Sequence, residues 1–274
     1  MHLPGPALQR FSAITAAAAL LLIAAGAIAG GAGPDSGLPA MLVKGRIHLD
    51  LAAAVGAGTV LLLIWIVPAN IPAWVRAMGW VATGLFALDS AIMALTPAPP
   101  AGAALAIPHA IVAALFLSSL VVIAFYMPQD WINGPTRIDT TTAWPSLPLA
   151  SLITPFLVVL QISLGAAYRH KIFGVMPHMA GAMVVTLALL VVSVLLLQSF
   201  PTHPTLKPVA IAAMSVLLLQ VSLGIAAFVM RLMDFDTGNG FVFLAAAHVC
   251  VGALTLAASV VLALEVRRCS PVND

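Results

Sequence analysis

The chain has 274 residues, of which 62% are hydrophobic and 7% are charged, and its formal net charge is +2. Soluble domains carry roughly 25% charged residues, so this composition excludes a soluble globular protein. A mean hydropathy of +1.11 means that most of the chain faces lipid or other apolar helices. The near-neutral charge argues against a nucleic-acid partner, and two cysteines are too few for a disulfide framework or a thiolate metal cluster. We therefore predict an integral membrane protein.

Apolar runs bounded by proline, glycine and charged residues predict eight transmembrane helices. The predicted spans, in chain order, are 11–31, 43–67, 74–96, 104–127, 149–169, 177–199, 208–230 and 242–266. The longest connection lies near the middle and divides the chain into an N-terminal half, residues 1–133, and a C-terminal half, residues 134–274, of four helices each. An even number of spans puts both termini on one side of the membrane, but the basic residues are too evenly divided between the two sides to decide which.

Four of the seven histidines lie near the start of an even-numbered predicted helix. They are His48, His109, His178 and His248. Because even-numbered helices all run in one direction, we expect the four imidazoles at similar depth in one leaflet. His178 follows His48 by 130 positions and His248 follows His109 by 139, so the chain is expected to consist of two related four-helix units.

A repeated motif supports this duplication. Gln161-Ile-Ser-Leu-Gly165 recurs as Gln220-Val-Ser-Leu-Gly224, and each copy lies one helix before a histidine helix. Two facing imidazoles in a helix bundle can bind haem iron on its two axial sides, so we expect the histidines to pair within each half. Small residues four positions after each histidine leave room for a macrocycle on the same helix face. These residues are Ala52, Ala113, Ala182 and Gly252.

Basic residues at the same membrane face are candidate partners for haem propionates, which prefer cations at the interface. Four of them stand at helix ends on the histidine side: Arg46, Arg169, Lys171 and Arg231. Two alternatives for the histidines stay open, namely hydrogen bonds between helices and binding of zinc or copper. Four histidines at matching depth, with small residues beside them, favour haem.

The segments around these histidines resemble haem A synthase. The resemblance is carried by Gly165-Ala-Ala-Tyr-Arg169-His-Lys171, by Pro177-His178-Met-Ala-Gly181, by the two Gln-x-x-Leu-Gly repeats, by Asp35-Ser-Gly-Leu38 and by Ala247-His248 with Gly252. It covers nearly all of the chain, although the histidine frame is its specific part.

The resemblance implies two pseudo-symmetric four-helix bundles in the inner (cell) membrane, with the histidines toward the outer face and the termini in the cytoplasm. It implies a haem b cofactor held by His178 and His248. Haem O, as the substrate, would lie at His48 and His109 and be oxidised at a porphyrin methyl to haem A, with water supplying the oxygen and the electrons leaving through haem. The implied protein partners are haem O synthase or a respiratory complex.

The first histidine segment departs from the family pattern. The family motif is Glu-x-x-His-Arg, whose glutamate is implicated in the oxidation, whereas this chain has Gly45 and Leu49 at the two positions. This departure favours, as an alternative, a non-catalytic haem-binding membrane subunit or electron carrier. A third hypothesis, a transporter built from repeats, needs broken helices at the midplane, and the predicted spans show no matching proline pairs there.

Two aspartates are candidate replacements for the missing glutamate. Asp50 lies two residues after His48 and projects from a different helix face, so it is not expected to replace the glutamate. Asp89, in the third predicted helix toward the histidine side, is the candidate catalytic acid, because acids within membrane spans are commonly functional. Its structural alternative is a hydrogen bond to a neighbouring Ser, Thr or Arg.

Overall fold

A computed structural model describes residues 6–33, 37–43, 45–95, 103–127, 136–138 and 146–270, with the side chains of residues 103 and 104 left out. Within these ranges all regular secondary structure is helical. The helices are α1 (Pro6–Ala29), α2 (Ala40–Val43), α3 (Arg46–Ile66), α4 (Ala73–Leu95), α5 (Ala103–Tyr126), α6 (Leu147–Arg169), α7 (Val175–Ser199), α8 (Leu206–Leu232) and α9 (Asn239–Cys269). Apart from α2, each of these helices is long and apolar enough to cross a membrane. The predicted all-α membrane protein with eight transmembrane helices is confirmed.

The predicted second helix is interrupted near its start. α2 ends at Val43 and α3 begins at Arg46, with Gly45 between them at a φ of 69°. Glycine adopts this left-handed conformation without the steric cost that a Cβ atom brings. The chain therefore turns three residues before His48.

Other helix ends also differ from the prediction. α1 begins at Pro6, five residues before the predicted start, because proline is well tolerated in the first turn of a helix. α9 continues to Cys269, so the charged residues that suggested an end at 266 remain helical. The predicted turn at Asp35 and most of the central connection, residues 128–135 and 139–145, lie outside the described residues.

The helices form two rings of four. In the N-terminal half, α3 packs between α1 and α4, and α5 closes the ring against α4 and α1. In the C-terminal half, α6, α7, α8 and α9 close a second ring in the same order. The rings meet mainly where α5 packs against α9, with α1 and α6 at the sides of this contact. In each ring the two helices that carry the predicted histidine ligands stand diagonally across from each other.

Most of the large, fully buried side chains lie toward one end of both rings, which we call the closed end. Here α1 begins and α9 ends, and Phe11 of α1 packs on Trp65 of α3 with 5.8 Å between ring centres. The largest fully buried side chains of the five helices α3, α5, α7, α8 and α9 include Leu62, Ile66, Leu120, Ile123, Leu189, Leu196, Leu206, Leu217, Leu256 and Leu262. Most of these side chains lie in the halves of the helices nearest this end.

The opposite end, where α3, α5, α7 and α9 begin, is loosely packed and is called the histidine end. None of the residues in five stretches of helix there is buried: 46–54, 83–95, 105–111, 175–184 and 218–232. The outward faces of both ends meet lipid, so the difference lies on the inward faces. The four imidazoles themselves are only partly buried.

Candidate functional site

The four histidines form two facing pairs. The ring centres of His48 and His109 are 6.5 Å apart, and those of His178 and His248 are 6.2 Å apart. In both pairs the ring planes are 88° to one another. The first pair spans the N-terminal ring of helices from α3 to α5, and the second spans the C-terminal ring from α7 to α9. The structure thus brings the predicted histidines together within each half.

The spacing of each pair suits one metal ion between the two rings. Two bonds of roughly 2 Å from metal to imidazole nitrogen, plus roughly 1 Å from each nitrogen to its ring centre, separate ring centres by about 6 Å. Within the part of the chain that the structure describes, no group of three or more His, Cys, Asp or Glu side chains could hold a metal ion. Each pair offers two protein ligands, the number that an iron porphyrin takes on its axial sides.

In the N-terminal pair, both Nδ1 atoms have acceptors on the preceding helix. His48 Nδ1 lies 3.1 Å from the backbone oxygen of Leu22 in α1. His109 Nδ1 lies 2.8 Å from Oδ1 of Asp89 in α4. If each Nδ1–H donates to its oxygen, each Nε2 keeps the lone pair that a metal ion needs. The structural alternative for Asp89 was a bond to Ser, Thr or Arg, but its partner is His109.

In the C-terminal pair, the two glutamines of the repeated motif lie beside the imidazoles, again on the helix that precedes each histidine helix. The amide nitrogen of Gln161 donates to the backbone oxygen of His178 at 2.9 Å and lies 3.0 Å from Nδ1 of the same residue. The amide nitrogen of Gln220 lies 3.4 Å from Nε2 of His248. The two glutamines therefore lie beside the imidazoles of the C-terminal pair, as Leu22 and Asp89 do in the N-terminal pair.

Three buried polar atoms at the C-terminal pair have no hydrogen-bond partner among the described residues. They are Oε1 of Gln161, Oε1 of Gln220 and Nδ1 of His248. Buried polar groups in folded proteins are nearly always paired. The arrangement around this pair therefore fits a site that a bound group completes.

Glycines on the preceding helices make room for three of the four imidazoles. A Cβ atom at Gly26, Gly165 or Gly224 would lie 2.8, 2.9 or 3.0 Å from Cε1 of the facing histidine. Each of these glycines comes four residues after the residue that contacts the ring, so both project from one helix face. The conspicuous Gln-x-x-Leu-Gly repeat is explained by these two contacts. The N-terminal equivalent of this repeat, Leu22 with Gly26, could not be recognised in the sequence, because a backbone oxygen replaces the glutamine side chain there.

The predicted propionate partners lie at the histidine end in different surroundings. Arg169 reaches from α6 to α1, where its Nη2 donates to the backbone oxygen of Ala27 at 2.6 Å. Arg46 is exposed and pairs with Asp50, with 3.1 Å between Nε and Oδ1. Desolvation and the charge of Arg169 lower the pKa of His170, so that imidazole is neutral near pH 7 and adds no cation.

The remaining two cations lie nearer the C-terminal pair or at the surface. The guanidinium carbon of Arg231 lies 5.2 Å from the ring centre of Tyr168, and Nε lies 3.9 Å from Asp236. Tyr168 stacks on His178 with 6.4 Å between ring centres and 10° between planes. Tyr168 lies near the end of a span, where an aromatic residue commonly anchors at the membrane interface, so nothing in the sequence marked its contact with the candidate ligand. Lys171 is exposed and has a left-handed backbone with φ of 60°.

One buried acid escaped sequence analysis altogether. The side chain of Glu265 in α9 is fully buried, and Oε1 lies 3.4 Å from Nη1 of Arg268. It also interacts with Tyr126 of α5, which joins the two halves at the closed end. Seventeen residues of helix separate it from His248, or about 25 Å, so it belongs to the packing of the halves. The spacing of three residues to Arg268 was the signal that could have found it.

Comparison of the chain with protein-family models and with curated proteins finds no match.

Proposed function

We propose that this protein binds haem through two histidine pairs and acts as a membrane oxidoreductase of the haem A synthase type. The observation that carries the proposal is the facing of two imidazoles, about 6 Å apart, across each ring of helices. The loose packing of the histidine end supports it, because a macrocycle needs room between helices that a fully packed bundle lacks.

His178 and His248 would hold haem b as the resident cofactor, and His48 and His109 would hold haem O as the substrate. When bound, haem b accepts electrons removed from the substrate's porphyrin methyl as that methyl is oxidised to the formyl of haem A. The unpaired polar atoms of the C-terminal pair fit a permanently filled site. On the N-terminal pair, hydrogen bonds from Nδ1 to Leu22 and Asp89 would leave both Nε2 atoms free to hold the haem iron.

A second candidate function, a haem-binding membrane subunit or electron carrier without catalysis, is favoured by one observation. Among the described residues no acid beside the N-terminal pair is left without a partner. Gly45 has no side chain, Asp50 is exposed and paired with Arg46, and Asp89 is bonded to His109. In this second function both histidine pairs would bind haem, but no porphyrin methyl would be oxidised.

Production of the protein beside a source of haem O, followed by pigment extraction and chromatography, distinguishes the two candidates. Haem A, or its alcohol intermediate haem I, supports the oxidoreductase. Haem b with a bis-histidine spectrum but neither product supports the carrier. A preparation that binds no haem contradicts both.

We further propose that the histidine end faces the outer side of the inner (cell) membrane and that both termini are cytoplasmic. α1 begins and α9 ends at the closed end, so the termini share one side and the histidines lie toward the other. Haem O synthase or a respiratory complex is the partner that this activity would need. Reporter fusions at each terminus test the orientation, and a periplasmic signal from either contradicts it.

The Gly165→Ala variant is expected to bind haem at the C-terminal pair roughly 5- to 150-fold more weakly. The new Cβ atom would lie 2.9 Å from Cε1 of His178 and push the ring from its place. Overpacking of this kind costs about 1–3 kcal/mol. Haem titration of the purified variant, followed by absorbance, measures the affinity.

Gly84→Ala is the matched control, because a Cβ atom at this α4 glycine meets no heavy atom within 4 Å. It is expected to bind haem as the unmodified protein does. Equal haem affinity of Gly165→Ala and Gly84→Ala would show that the glycine does not accommodate the ligand ring.

A further inference from the structure

Each of the four histidine helices is preceded by a helix that carries one residue in contact with the imidazole. Through a side chain or a backbone oxygen, these contacts are made by Leu22, Asp89, Gln161 and Gln220. Asp89 and Gln220 occupy the same place in the two rings, since α4 corresponds to α8 and both residues contact the second histidine of their pair. Three of these four residues are uncharged, and Asp89 alone carries a carboxylate.

The carboxylate makes the shortest of the four contacts. Oδ1 of Asp89 lies 2.8 Å from Nδ1 of His109, and the two side chains are only 17% and 25% exposed. A hydrogen bond from imidazole to a carboxylate is charge-assisted and makes the other ring nitrogen a more basic ligand. In surroundings with little water this effect is screened less than at a surface. A more basic axial ligand stabilises ferric over ferrous iron, which lowers the reduction potential.

No such acceptor serves the C-terminal pair. Gln161 and Gln220 present neutral amides to His178 and His248, and the contact of Gln220 is long, at 3.4 Å. A neutral amide leaves the imidazole less electron-rich than a carboxylate does. The two pairs therefore share their spacing and ring angle. They differ in the charge behind the second histidine and in the ring nitrogen that faces it, Nδ1 in His109 and Nε2 in His248.

We propose that Asp89 is a positioning residue that acts through His109 to make the N-terminal pair the site of lower reduction potential. The inference rests on the proposed haem binding at both pairs. With haem at both pairs, His48 and His109 would then hold the haem that gives up an electron more readily, and His178 and His248 the haem that takes one up more readily. α5 and α9, which carry His109 and His248, pack directly against each other, so the two sites are neighbours.

Spectroelectrochemical titration of the full-length protein loaded with haem b at both pairs tests this inference. The unmodified protein is expected to show two midpoint potentials. Asp89→Asn should raise the lower one and bring the two together, because a neutral amide leaves the imidazole of His109 less electron-rich than the carboxylate does. The His178→Ala background, which leaves only the N-terminal haem, assigns the lower potential to its pair.

Gln220→Glu is the reciprocal variant at the equivalent position. It should lower the higher midpoint potential and leave the lower one unchanged. If Asp89→Asn no longer holds the N-terminal haem, this variant alone tests whether a carboxylate behind the second histidine lowers the potential. Bound haem whose midpoints do not move in the variants, or a lower potential that belongs to the C-terminal pair, would overturn the role of Asp89. Absence of haem from the unmodified protein would instead overturn the proposed function.

Discussion

The His248→Ala variant is expected to lose the haem of the C-terminal pair and keep that of the N-terminal pair. With 6.2 Å between ring centres, His178 and His248 can ligate one iron from both sides, and alanine removes one of the two axial bonds. The haem content per protein should fall by about half, and the remaining spectrum should be that of the His48 and His109 pair. Pyridine haemochrome assay and absorbance of the purified protein measure both quantities.

His203→Ala is the matched control for this loss. His203 is also a buried histidine, but it lies at the closed end, where Nδ1 accepts the backbone N–H of Leu206 at 3.1 Å at the start of α8. This variant should lower thermal stability, by about 1 kcal/mol for a lost helix cap, and keep both haems. A full haem content in His248→Ala, or equal losses in the two variants, would show that the C-terminal pair is not the ligand set.

Leu120→Ala is expected to cost about 2 kcal/mol or more in the free energy of unfolding. Leu120 in α5 is 0% exposed and packs at the closed end, where α5 is surrounded by neighbouring helices. Lipid is as apolar as leucine, so the cost comes chiefly from lost packing contacts and from the cavity that alanine leaves. Unfolding in mixed micelles with increasing sodium dodecyl sulfate measures the change.

Leu61→Ala provides the comparison. Leu61 in α3 is 56% exposed, on a face that meets lipid, and its truncation should change the free energy of unfolding by no more than about 0.5 kcal/mol. If the two variants are equally stable, the closed end is not where the fold gains its stability.

The helices and the pairing of histidines could be predicted because both follow from long-range regularities of the sequence. Eight apolar runs of membrane-spanning length determine the number of spans. The alternating direction of successive spans puts His48, His109, His178 and His248 at one end, which is enough to predict one pair in each half. Neither argument depends on the rotamer of any side chain.

What could not be predicted depends on contacts between particular atoms. The backbone oxygen of Leu22 acts as the N-terminal equivalent of the Gln161 side chain, and backbone atoms carry no residue-specific signal. Asp89 was recognised as unusual in a membrane span, but its partner emerged only from the packing of α4 against α5. The break at Gly45 was missed because hydropathy continues across it, whereas the left-handed φ is a local property of glycine.

Stability depends mainly on the closed end, whereas ligand binding would depend on the histidine end, so the two requirements fall in opposite leaflets of one bilayer. Amides in the halves of the helices near the closed end should exchange with solvent most slowly, because opening them means opening the whole protein. Residues in the other leaflet can then vary with only small effects on folding. The binding of a ligand at the imidazoles could therefore be altered by nearby substitutions while cooperative unfolding stays governed by the opposite leaflet.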